Sequence, residues 1–96
     1  MRLDQPAFRE FLMRRGWKVP YLGDFFTTPE ATRELQPGGP AAVLYLEPGT
    51  DDEGRVTLGE LGFESVQGRH LDARKLPPAL VSEAARDVLG AVKAAT

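Results

Sequence analysis

The chain has 96 residues, a formal charge of −2 and 42% hydrophobic content, which bounds it to one small folded domain spanning residues 1–96. The absence of cysteine excludes disulfides, thiolate metal sites and thiol catalysis, and a single histidine excludes metal centres built on histidine pairs. No stretch approaches the roughly 18 apolar residues of a membrane span, and Asp4, Arg9 and Glu10 interrupt any apolar leader, so the chain reads as a small soluble cytoplasmic protein.

In chain order, the first predicted element is a helix. Asp4 is placed to cap it, Pro6 suits its first turn, and Leu3 and Phe8 stand at the two positions of a hydrophobic staple. Phe8, Phe11 and Leu12 give an apolar stripe, Arg14 and Arg15 suit the negative end of the helix dipole, and Gly16 ends it. Trp17 to Leu22 alternates, with Trp17, Val19 and Tyr21 on one side, and Pro20 limits that strand to a sheet edge. Thr27-Thr28-Pro29-Glu30 reads as a capping box that opens a short helix through about Leu35, and Pro37-Gly38-Gly39-Pro40 ends it.

Ala41 to Leu46 is a continuous apolar run fenced by Pro40 and Pro48-Gly49, the pattern of a strand covered on both faces. A polar turn at 48–54 leads to a second strand from Val56 to Val66. Val56 and Leu58 share one parity there and Leu61 and Phe63 the other, which predicts a β-bulge near Gly59 or Gly62. This hairpin is the organising unit. Arg69 to Ala73 suggests a brief further strand. After Pro77-Pro78 the tail reads as a helix, with Val81, Ala84, Ala85, Val88, Leu89 and Val92 as the apolar face and Ser82, Glu83, Arg86, Asp87 and Lys93 as the wet one. Gly90 costs that helix about 1 kcal/mol against Ala, which implies either fraying after Leu89 or a close contact. The fold class is therefore α+β: a small antiparallel or mixed sheet of three or four strands packed by helices, in the order α-β-α-β-β-(β)-α.

Charge is unevenly spread. From 1 to 20, five basic and two acidic residues give +3; from 21 to 66, two basic and nine acidic give −7; from 67 to 96, five basic and three acidic give +2. Basic ends and an acidic middle make self-association through opposite charges available. The chain also lacks Ile and Asn and carries nine Arg against three Lys, a bias that fits a GC-rich or thermophilic bacterium.

Chemistry-bearing candidates are sparse. His70 and Asp72, two residues apart, would share one side of a strand, where a carboxylate orients an imidazole for general-base work, but no motif places a nucleophile. Asp51, Asp52, Glu53 and Glu47 lack the spacing of a calcium loop and read as a solvated hairpin tip. Gly54, Gly59 and Gly62 fit neither a phosphate loop nor a dinucleotide fingerprint. Arg9, Arg14, Arg15 and Lys18, with Trp17 and Tyr21 interleaved, form the candidate interaction surface, although such aromatics more often belong to a core.

The leading expectation is a non-catalytic interaction or accessory module, self-associating as a homodimer or meeting another protein, with no cofactor, metal or membrane partner. The alternative is nucleic-acid binding by the basic N-terminal helix. A third reading is a small enzyme using His70 and Asp72.

Overall fold

The computed structural model describes residues 2–19, 30–48 and 55–96. In chain order the elements are β1 (Arg2–Asp4), α1 (Gln5–Arg14), β2 (Glu30–Glu34), β3 (Ala41–Pro48), β4 (Arg55–Glu64), β5 (His70–Leu71), a 3-10 turn (Ala73–Lys75) and α2 (Pro78–Ala95). The class is α+β. Every strand pairing among the described residues is antiparallel, in the order β1-β4-β3-β2, with β5 also on β4.

The β3–β4 hairpin is the centre of the sheet. Leu44 faces Leu61 and Leu46 faces Leu58, so two steps along β3 match three along β4. The extra residue is the expected bulge, with Gly59 and Glu60 both opposite Tyr45. A Cβ on Gly59 would lie 2.9 Å from the Tyr45 carbonyl oxygen, so the backbones approach there only because the side chain is missing. The bulge also resolves the change of phase, since Leu58 and Leu61 now both pack on the same core as Phe63.

Glu30–Glu34 is a strand, not part of the short helix expected to open at Thr27-Thr28-Pro29-Glu30 and run through about Leu35. The capping pattern is a local signal, whereas Ala31 opposite Leu44 and Arg33 opposite Ala42 gain a full ladder with β3, and tertiary pairing overrides the local preference. Pro37-Gly38-Gly39 is then a hairpin turn, with Gly38 at a positive φ of 69° and the Leu35 N–H donating to the Pro40 carbonyl. Of the expected strand from Trp17, Lys18 makes a single antiparallel bridge with Thr32, beyond the edge of β2. Residues 20–29 and the acidic turn at 49–54 lie outside the described residues. β1 was not foreseen; its three residues pair with Thr57, Val56 and Arg55.

Two helices cover one face of the sheet. The Asp4 carboxylate accepts from the Ala7 N–H, and Leu3 and Phe8 are both fully buried, so the cap and staple form as expected. At the other end the Trp17 N–H donates to the Leu12 carbonyl and the Gly16 N–H to Met13, a Schellman closure that requires the positive φ of 88° at Gly16. α2 runs unbroken through Gly90, because the Phe11 ring of α1 occupies the space a Cβ there would need, 2.4 Å from its Cζ. Close contact, not fraying, explains that glycine.

α2 is also rotated from its expected orientation. Ala84, Ala91 and Ala95 are buried, Val81, Val88 and Val92 pack partly against the core, Asp87 is only 4% exposed, and Leu89 is 61% exposed. Small side chains let the helix approach closely, and two polar partners draw Asp87 inward.

Candidate interaction surface

Strand alternation sorts the sheet into two chemically different faces. Ala31, Ala42, Leu44, Leu46 and Phe63 point toward α1 and α2 and join one core with Phe8, Leu12 and Trp17. The opposite parity carries Glu30, Thr32, Tyr45, Gly62, Glu64 and His70. Ala41–Leu46 is thus not a strand sheathed alike on both sides. Val43 is buried on the outer face apart from the main core, while Tyr45 is 38% exposed.

Gly62 shapes that outer face. A Cβ on it would sit 3.8 Å from the His70 Cε1 and 4.0 Å from the Tyr45 Cε2, so the two rings flank the glycine. Passing over this bare backbone, the Tyr45 hydroxyl donates to the Glu64 carboxylate at a long 3.4 Å. The phenol is pushed above its ordinary value by burial first, then by the negative charges of Glu64, Glu30 and Glu60. At neutral pH it is a protonated donor amid carboxylates, suited to holding a cationic or hydrogen-bonding group rather than to acting as a base.

The basic and aromatic residues singled out from the sequence are spread over different surroundings. Arg9 is half-buried and its Nη2 donates to the Val19 carbonyl at 3.4 Å. Arg14 pairs with Glu10 one turn back on α1, and the Arg15 guanidinium lies 5.3 Å from the Phe11 ring centroid. Lys18 is exposed beside Thr32. Trp17 is only 3% exposed, so its ring offers no face for stacking on a base; Tyr21 lies outside the described residues.

Trp17 belongs to a polar cluster that sequence reading missed. Its Nε1–H donates to the Asp87 Oδ2 at 3.0 Å, the Arg33 Nη1 reaches the same oxygen at 2.7 Å, and the Arg33 Nη2 reaches Glu83 at 2.6 Å. Arg33 is held above its ordinary value chiefly by its hydrogen bond to Glu83, and Glu83 is lowered by the same contact. The cluster locks α2 to β2 and to the chain following α1. The Trp17 indole N–H and both Arg33 Nη nitrogens each meet a carboxylate within the protein, so the role is structural.

His70 and Asp72 line one shallow depression with Gly62 and Arg74. Asp72, however, accepts from the Arg74 side chain at 2.9 Å and from its backbone N–H at 3.0 Å, and Arg74 is what lowers the carboxyl below its usual range. The carboxylate is thus turned to Arg74 rather than to the imidazole. Among the described residues no group of three or more His, Asp or Glu side chains is placed to hold a metal ion, and no helix is long and apolar enough to cross a membrane. In comparisons with known proteins, no family model, curated protein or solved structure matches this chain.

Proposed function

We propose that this chain is a non-catalytic interaction module that self-associates, with a homodimer as its smallest assembly, through the outer face of its sheet. The observation that carries the reading is the asymmetry of the sheet. Helices cover one face, whereas the other presents Tyr45, 38% exposed, within the field of Glu30, Glu60 and Glu64. An aromatic with a polar tip on a structured, charged surface suits recognition, because it contributes large contact area at low entropic cost. The protein's own basic residues supply an opposite charge, and a chain without cysteine suits the reducing cytoplasm where we place it.

Sedimentation velocity across the micromolar range, at low and moderate salt, tests the reading. Reversible association that strengthens with concentration is the expected result. A single monomeric species at high micromolar concentration in both buffers overturns it.

A further inference from the structure

Building on the self-association reading, we infer that the surfaces that meet are the outer sheet face of one copy and the solvent stripe of α2 of the next. Arg86, Leu89 and Lys93 recur at helical spacing and are all exposed, with Leu89 at 61% the most exposed large aliphatic of α2. Seven residues of helix separate the two cations by about 10 Å, with the leucine between them. On the sheet, Tyr45 has Glu30 directly opposite on β2 and the bulge residue Glu60 opposite on β4. Two strand spacings put those carboxylate-bearing positions about 10 Å apart, with the aromatic between them.

The match is therefore one of sign and of spacing: cation, leucine, cation against carboxylate, tyrosine, carboxylate. It also gives the exposed Leu89 an aromatic partner surface. Lys18 sits beside Thr32 at the rim of that face, but two outer faces set against each other would still juxtapose the Glu30, Glu60 and Glu64 carboxylates, so the charge pattern favours the helix as the occupant. α2 packs on the inner side of the sheet, so one copy cannot bring its own stripe to its own acidic face. The contact runs head to tail, and a dimer retains one unused surface of each kind.

The test is a charge swap followed by mixing. Wild-type protein should show a ladder of species that grows beyond dimer with concentration and recedes with salt. Glu30→Lys/Glu60→Lys should weaken association roughly tenfold or more, as should Arg86→Glu/Lys93→Glu, because each sets like charges against one another. An equimolar mixture of the two variants should recover it, since the basic sheet face then meets the acidic helix. Circular dichroism melts establish that both variants fold, and the single variant Glu60→Lys, at an exposed position, repeats the test if the double variant does not. A closed dimer indifferent to all these substitutions, or two weakened variants that fail to rescue one another, overturns the pairing and leaves self-association standing. A wild-type monomer overturns both.

Discussion

Leu44 and Tyr45 are neighbours in one strand, yet one is 1% exposed and the other 38%. They represent the two faces of a single sheet, and the faces are built to different ends. Toward the helices, a continuous apolar core is flanked by a charged cluster in which Arg33 is matched by buried Asp87 and exposed Glu83. Away from them, carboxylates gather around a tyrosine whose phenol is pushed above its ordinary value by burial and then by those charges. The apolar run Ala41–Leu46 does not distinguish the faces by itself. The distinction comes from its partners, since Glu30-Ala31-Thr32 and Gly62-Phe63-Glu64 alternate while β3 does not. In this small sheet the apolar central strand buries Ala42, Leu44 and Leu46 on the helix side, while its other parity sets buried Val43 beside part-exposed Tyr45.

Substitutions at the two neighbours test this division most strongly. Leu44→Ala removes a fully packed side chain and should cost about 3 kcal/mol in urea unfolding, whereas Tyr45→Thr keeps a β-former at a part-exposed site and should cost less than about 1 kcal/mol. Equal losses would mean that both faces are core. Next comes the charged cluster of the inner face. Asp87→Ala leaves the Trp17 N–H without its acceptor and the Arg33 guanidinium with only Glu83, in a site where Asp87 is 4% exposed. A loss of about 3 kcal/mol is expected, because removing one member of a buried pair strands the other. A smaller loss, below about 1 kcal/mol, would show that water reaches the cluster and that the inner face is less sealed than its apolar members.

Gly90→Ala sets local preference against packing. Helix propensity alone favours alanine by about 1 kcal/mol. In the fold, the new methyl would lie 2.4 Å from Cζ and 2.7 Å from Cε1 of Phe11, so one ring or one helix must shift. A net loss of about 1 to 2 kcal/mol is expected from overpacking, with Phe11→Leu in the same chain recovering most of it. A gain in stability would show that the Phe11 ring turns aside freely and that the helices do not depend on this contact.

Much of this architecture was legible in the sequence, and what was legible was local. Asp4 with Leu3 and Phe8, Gly16 after two arginines, the change of parity around Gly59 and a helix starting at Pro77-Pro78 each involve residues a few positions apart, and all appear where expected, although the buried face of α2 is rotated. What failed depends on distant partners. Glu30–Glu34 has composition suited to either helix or strand, and pairing with β3 decides it. Asp87 sits at a position that periodicity assigns to solvent, and only the arrival of Trp17 and Arg33 from 70 and 54 residues away turns it inward. The outer face was hidden for the same reason. Tyr45, Gly62 and His70 converge only once the order and register of three strands are known, whereas Arg14, Arg15 and Trp17 are close in sequence but lie in different environments.

The smallest effect probes the outer face directly. The Tyr45 phenol lies above its ordinary value of 10.0 because burial and then Glu64, Glu30 and Glu60 disfavour the phenolate. A native value raised above the unfolded one means that this contribution to stability is fully present below pH 10.0 and is lost as pH rises through the native value. Two tyrosines titrate in the wild type, so Tyr21→Phe isolates the signal, and phenolate absorbance follows it. Glu64→Gln removes the nearest charge together with the ionised acceptor of the phenol, and should bring the midpoint down more than Glu60→Gln, which acts through the field alone. Both should leave a residual elevation, because burial remains. If Glu60→Gln does not move the midpoint, the bulge turns that carboxylate away from Tyr45, and one wall of the charge pattern proposed to receive α2 is missing.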